Sequence, residues 1–328
     1  MSYGNGKLKM DNGKFKKSFT LIEMIFVIVI LTFIAIGSFN LISKLYKRNY
    51  IAKTTSDFEY FSQQLTDQLS ILLYNRIPLS VIGYDGHNFK YIGNIDEKDN
   101  FPIIEWIGEL DEAKTGLNLS GFADLYASNK PKLKALDFNS VFINDILHNK
   151  YNTADNLDKL TAIIFAGSFD KGEEEAESDE QNAFGWHGNE HKYVFTISNY
   201  SQNGSNCDLS LDNTDNKRIY EKFYLADSAY TLALGKDIDI NTKCIQNLHL
   251  KKSNINNTLF LFYNFRPWRG ETFCADNNGN PEGNVTVMAQ NVKGFKFKKV
   301  NSHLEMFFTF FKNRGDINIS VSKQKVVF

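Results

Sequence analysis

The 328-residue sequence predicts an α+β protein, a long N-terminal helix packed on a mainly antiparallel β-sheet domain. Three observations carry this expectation. Residues 19–42 form an apolar run with a single charge, Glu23. After Arg48 the apolar residues Ile51, Phe58, Phe61, Leu65, Leu69 and Leu72 recur mostly at steps of three and four, with no proline before Pro78, which is helical periodicity. From Pro78 onward, short alternating apolar runs are bounded by Gly, Asn and Asp, the pattern of strands joined by turns.

Bulk composition narrows the class only a little. A formal net charge of -1 and a pI near 6.6 argue against a wholly basic nucleic-acid binder. With 42% hydrophobic and 14% aromatic residues the chain is not disordered. A mean hydropathy of -0.34 excludes a polytopic membrane protein but leaves room for one anchor. Three cysteines exclude a disulfide-dense mini-domain.

The apolar run is long enough, at about 1.5 Å per residue, to cross a bilayer as a helix. Lys7, Lys9, Lys14, Lys16 and Lys17 precede it against a single Asp11, so charge asymmetry keeps the N-terminus cytoplasmic and sends the rest across. Lys44, Lys47 and Arg48 weaken this bias without reversing it. A cleaved signal peptide is the competing reading, but its small-residue site at 35–37 is poor. It also has no use for Glu23, because a lone carboxylate inside the bilayer costs roughly 2.5–3.5 kcal/mol. The continuation at residues 43–77 is amphipathic, and the whole helix is expected to run to about Asn75.

Lys16-Lys17-Ser18-Phe19-Thr20-Leu21-Ile22-Glu23-Met24 resembles the cleavage and methylation motif of type IV prepilins and type II secretion pseudopilins. The resemblance implies that residues 1–18 are a cytoplasmic leader, that prepilin peptidase cuts between Ser18 and Phe19, and that the new amine of Phe19 is methylated. Ser18 stands where the family usually has glycine, and Asn40 where it often has proline; Gly37-Ser38 is expected to supply the flexibility of that proline. In the family the carboxylate matching Glu23 pairs with the N-terminal amine of a neighbouring subunit, which offsets two charges that lipid would leave unpaired. A snorkelling acid is the alternative for Glu23.

Strands are expected at 162–165, 193–197, 222–234, 258–265 and 285–287, and a final meander at 294–300, 304–311 and 316–321 with Asn-Ser and Asn-Arg-Gly turns. Short helices are expected at 139–148 and 157–160. Residues 219–230, 259–268 and 288–297 resemble the distal sheet of large J-type minor pseudopilins and PilW-like minor pilins, so the resemblance implies a pilin-like fold with a globular domain over 78–328. Residues 80–215 match no named pattern.

His187-Gly188-Asn189-Glu190-His191 fits the zinc-peptidase arrangement H-x-x-E-H, which requires both histidines on one helical turn. Gly185, Gly188 and Asn189 are turn formers and a strand follows at once, so a surface turn over Trp186 is preferred to a metal site. Seven acids crowd residues 170–180, the composition of a solvated loop tip. Asp276 to Glu282 alternates oxygen ligands like a calcium loop, but Gly279 and Pro281 break the EF-hand spacing. Between Lys293 and Lys325 eight basic residues interleave with phenylalanines. That pattern suits single-stranded DNA, but strand alternation with Phe inward and Lys outward explains it more simply.

Cys207, Cys244 and Cys274 would lie in the oxidising periplasm under this topology. The pair Cys244–Cys274 is preferred because both flank strands of the distal region, although sequence leaves the connectivity open. The reading that emerges is a non-enzymatic minor pseudopilin in the bacterial inner membrane, without cofactor or bound metal. Its expected partners are prepilin peptidase, major and minor pseudopilins and the inner-membrane assembly platform; no nucleic-acid partner is expected. Alternatives are a minor pilin of a type IV pilus or DNA-uptake system and, more distantly, an anchored hydrolase using His187, Glu190 and His191.

Overall fold

The computed structural model describes residues 20–96, 99–169, 180–214, 217–274, 283–301 and 303–327. Ser18 and Phe19, the acidic stretch 170–179 and the calcium-like stretch 276–282 lie outside the described residues. The chain divides into two units, residues 1–54 and 55–328. Helix α1 (Leu21–Tyr74) runs through the boundary as 54 continuous helical residues, unbroken at Gly37-Ser38.

In the first unit α1 exposes its apolar side chains all round, with Leu21 at 81% and Phe39 at 73% exposure. It is long and apolar enough to cross a membrane. A helix apolar on every face is stable only where something apolar surrounds it, in lipid or in a helix bundle.

In the second unit α1 becomes one-sided. Phe58, Ser62, Leu65, Thr66, Leu69 and Leu73 are buried at helical spacing, while Phe61, expected on the same face, points outward. The buried hydroxyls are satisfied locally: Ser62 donates to the Glu59 carbonyl at 2.8 Å and Thr66 to the Gln63 carbonyl at 3.0 Å. The helix stops ahead of Pro78, which lacks an N–H and disfavours helical geometry at Ile77. Ile77 instead donates its N–H to the Ile107 carbonyl at 2.8 Å, handing the chain to the sheet.

The sheet begins with β1 (Ile82–Tyr84), β2 (Phe89–Tyr91) and β3 (Ile103–Glu109), then β4 (Leu119–Ala123) and β5 (Lys132–Phe138). Helix α2 (Ser140–Tyr151), capped by Asn139, and the short α3 (Leu157–Leu160) follow. Next come β6 (Ala162–Phe165), β7 (Phe195–Asn203), β8 (Asn206–Leu211), the 12-residue β9 (Phe223–Leu234), β10 (Leu259–Phe265) and β11 (Asn284–Ala289). All pairings are antiparallel, in the order β2-β1-β3-β9-β6-β7-β8-β5-β4, with β10 on β9 and β11 on β10.

β9 organises this sheet. One of its edges pairs with β3, and the other is shared in turn by β6 and β10. The far end curls back: Ala123 donates to the Glu221 carbonyl at 2.7 Å and Phe122 bridges to Lys222, which brings β4 to the start of β9. Six strands thereby close around a core containing Phe138, Phe165, Phe195, Leu209 and Phe223, plugged by Ile143 and Leu147 of α2. Closure leaves β4 without an open edge where it meets β9. Gly121 permits it, since a Cβ there would lie 3.0 Å from the Phe223 carbonyl oxygen and its φ is +73°.

The final meander is a separate three-stranded sheet, β12 (Val292–Val300), β13 (His303–Arg314) and β14 (Ile317–Val327). Phe295, Met306, Phe308 and Phe310 are buried on one face, and Phe58 of α1 meets Phe310 at a ring separation of 5.6 Å. The expected strand at 193–197 begins only at Phe195 but extends to Asn203.

Candidate functional site

At the start of α1, Thr20 and Glu23 form a reciprocal cap. Glu23 Oε2 accepts from the Thr20 N–H at 2.9 Å and from the Thr20 hydroxyl at 3.0 Å, while Thr20 Oγ1 accepts from the Glu23 N–H at 3.3 Å. This is the capping-box arrangement, which satisfies helix-terminal donors that have no intrahelical partner. A carboxylate in the first turn also faces the positive end of the helix dipole. The same geometry holds the Glu23 charge at the N-terminal edge of the apolar run, close in sequence to the residue whose amine the prepilin motif would expose.

The H-x-x-E-H residues do not converge. A 3₁₀ turn covers Trp186–Gly188, His187 has a φ of +54°, and Trp186 is buried. The surface turn expected there is partly inverted, because His187 points inward. It stacks on Tyr84 at a ring separation of 3.8 Å and places Nε2 3.3 Å from Oε2 of the buried Glu105, within ionic reach but off line for a hydrogen bond. Glu190 lies 3.7 Å from Lys192, and His191 Nδ1 is 3.2 Å from the Val194 carbonyl. Among the described residues no group of three His, Cys, Asp or Glu side chains is arranged to hold a metal. Chelation is therefore expected to leave the thermal unfolding midpoint of the full chain unchanged, and His191→Ala to shift stability by less than about 0.5 kcal/mol. A chelator-dependent drop in a melting curve would contradict this.

Sequence reasoning missed a buried polar cluster centred on Asp227. Its Oδ2 accepts from the Tyr151 hydroxyl at 2.7 Å and meets Lys150 Nζ at 2.8 Å, while Arg266 sits 5.3 Å from the Tyr151 ring centroid. Burial opposes the Lys150 charge, but Asp227, Tyr230 and Glu112 together outweigh it and raise the ammonium well above its ordinary value. Burial, then Asp227, raises the phenols of Tyr151 and Tyr230. The cluster fastens α2 to β9. An acid at the middle of the apolar run 223–234 was the available signal, since such a residue is stable only with a partner.

Cys244 and Cys274 are joined as a disulfide with a Cα separation of 5.8 Å, and Cys207 is a buried free thiol. On the meander, Lys293 lies 4.9 Å from the Phe311 ring centroid, Lys298 5.4 Å from that of Phe307 and Lys299 5.1 Å from that of Tyr91. Lys298 also pairs with Glu305 at 2.9 Å. These lysines lie over aromatic rings of their own domain as cation–π contacts.

The exposed apolar first part of α1, its single acid Glu23 and the reciprocal cap at its start coincide with a known motif. Residues 13–39 match the family model described as the prokaryotic N-terminal methylation motif. The chain is thus type IV pilin-like at its N-terminus, a substrate type for prepilin peptidase and for assembly with other pilins. Its apolar helix fits a single-pass inner-membrane anchor. Comparison with curated proteins and with solved structures finds no match.

Proposed function

We propose that the chain is a minor pseudopilin, a non-enzymatic subunit of a type II secretion assembly. Prepilin peptidase removes residues 1–18 by cutting between Ser18 and Phe19, and the Phe19 amine is then methylated. Residues 19–42 hold the protein in the inner membrane until they pack among the same segments of neighbouring pseudopilins. Residues 43–77 continue the helix into a periplasmic domain of residues 78–328.

The observation that carries this reading is the stretch of α1 up to residue 42, whose apolar side chains are exposed on every face and whose one acid, Glu23, sits at its N-terminal edge. In a bundle of such helices Glu23 meets the Phe19 amine of a neighbour, which neutralises both charges away from water. The Lys-rich leader supports a cytoplasmic N-terminus, and the Cys244–Cys274 disulfide suits an oxidising compartment. The length of the domain favours a low-copy subunit over the repeating body of a filament.

Co-purification tests this. Full-length chain solubilised from membranes is expected to bring down other pseudopilins and the assembly platform; recovery of the chain alone would overturn the proposal. A minor pilin of a DNA-uptake machine is separated by filter binding, because phosphate contacts weaken steeply as salt rises. No salt-sensitive retention of DNA is expected.

A further inference from the structure

A cleft of about 430 Å³ opens beside the short 3₁₀ turn Gly235–Asp237 that follows β9. Tyr84 of β1 and Ile103 of β3, opposite one another in the sheet, line it together with Phe273 and Cys274. Among the described residues its charged lining is two carboxylates, Asp237 and Asp239, against one ammonium, Lys236. We propose that this cleft binds an organic cation, the basic side chain of a partner protein: an ammonium or guanidinium carried on a short aliphatic stem.

Three features point to that chemistry. Asp237 keeps only 18% of its side-chain surface exposed, accepts no hydrogen bond among the described residues, and has Lys236 at 3.9 Å as its ion-pair partner. Burial pushes its carboxyl up and Lys236 opposes this only in part, so a second cation in the cleft stabilises the charge. Asp239 Oδ1 accepts from the Asn241 N–H at 2.9 Å, which holds that carboxylate in place and leaves Oδ2 for a ligand. Tyr84 and Phe273 meet edge to face, at 78° and a centroid separation of 6.5 Å, and form an aromatic corner. The corner sits in a negative field, since burial, then Glu105 and Asp85, raises the Tyr84 phenol. The face of an aromatic ring itself attracts a cation. The Cys244–Cys274 disulfide fixes the lining before a ligand arrives, with the Thr242 hydroxyl 3.0 Å from Cys274 Sγ.

Size and lining together decide what fits. The cleft falls within the roughly 300–1,000 Å³ of small-molecule pockets, so one long side chain enters whole. Ile103 and the aromatic corner receive the stem, and the two carboxylates receive the charged end. A calcium ion takes roughly six to eight oxygen ligands, more than the two carboxylates of this lining supply, so the lining selects an organic cation over a bare one. Lysine and arginine side chains share this chemistry.

The test is calorimetric titration of the full chain in detergent with N-acetyl-lysinamide, N-acetyl-argininamide, the neutral N-acetyl-norleucinamide and calcium chloride. At least one of the two organic cations is expected to bind saturably and about tenfold more tightly than the norleucine derivative, with affinity falling as salt is raised. Tighter binding of the lysine derivative assigns the site to an ammonium, and tighter binding of the arginine derivative to a guanidinium. Asp239→Asn is expected to weaken the cation about fivefold, and Lys236→Gln, which removes the competing ammonium, to tighten it about twofold. Phe273→Leu is expected to weaken it without changing charge. Asp239 and Lys236 are exposed, and asparagine keeps an oxygen for the Asn241 N–H, so both variants keep the wild-type unfolding midpoint. Equal binding of cation and norleucine derivative, no saturable binding of either cation, saturation by calcium in their place, or an unchanged affinity in Asp239→Asn would overturn the proposal.

Discussion

Glu23→Gln is expected to leave the protein inserted in the membrane and to reduce its co-purification with other pseudopilins by about 50-fold or more. The magnitude follows from the amine that the substitution strands. An unpaired charge at membrane depth costs roughly 2.5–3.5 kcal/mol, and each 1.4 kcal/mol is a factor of ten in association. Glutamine is the informative replacement because Glu23 has two roles. Its carboxylate caps Thr20 within the chain, and in the proposed assembly it also neutralises a neighbour's amine. Glutamine keeps an oxygen that accepts from the Thr20 N–H but carries no charge. Glu23→Ala removes both and adds a capping loss of about 0.5–2 kcal/mol. If Glu23→Gln assembles like wild type while Glu23→Ala does not, the acid is a helix cap and the charge-pairing proposal fails.

Asp227→Ala is expected to destabilise the domain by about 3–5 kcal/mol, read from a denaturant midpoint, because it leaves the Tyr151 hydroxyl without its acceptor and the largely buried Lys150 with Glu112, 3.0 Å away, as its remaining carboxylate. Lys150 keeps 22% of its side-chain surface exposed and relaxes partly toward water, which favours the lower end of that range. The double variant Asp227→Leu with Lys150→Met is expected to recover much of the loss, since replacing a buried ion pair by apolar groups of similar volume is often neutral. The same cluster sets an alkaline limit. Lys150, Tyr151 and Tyr230 all have folded-state values raised above their unfolded ones, so above about pH 10 the folded chain binds more protons than the unfolded chain. Stability is therefore fully present below about pH 10 and falls above it, and the fall should be shallower in the double variant. A wild-type stability that stays flat from pH 9 to 11 would contradict this sign.

The two ends of the chain were the legible parts. The apolar run, the helical spacing of Phe58, Leu65 and Leu69, and the proline stop predict a helix ending near Asn75, and α1 ends at Tyr74. In the meander, Phe295-Lys296-Phe297 alternates because one face packs on α1 and the other meets solvent, so period two is visible. The middle had no such regularity. β1 and β2 are three residues each, too short to show a period, and β3 is buried on both faces, so its pattern does not alternate. Closure of β4 on the start of β9 joins residues about a hundred positions apart, through a glycine with positive φ that reads locally as a turn.

The site was legible in the same uneven way. Glu23 stood out because a carboxylate in an apolar run demands a reason. Asp227 offered the same signal, but its partners Lys150 and Tyr151 lie on α2, 76 residues from it in the case of Tyr151, and nothing local names them. His187-Gly188-Asn189-Glu190-His191 matched a metal motif by letter alone. Its φ of +54° at His187 turns one imidazole toward Glu105 and away from the other.

The central claim is that this is a processed prepilin-type subunit, and its N-terminus tests that most directly. Intact-mass measurement and N-terminal sequencing should be made on the full chain purified from cells with prepilin peptidase and from cells lacking it. The expected product begins at Phe19 and carries one added methyl group when the peptidase is present, and retains residues 1–18 when it is absent. An N-terminus that is the same in both cells, or a cut within residues 35–37, would contradict the claim.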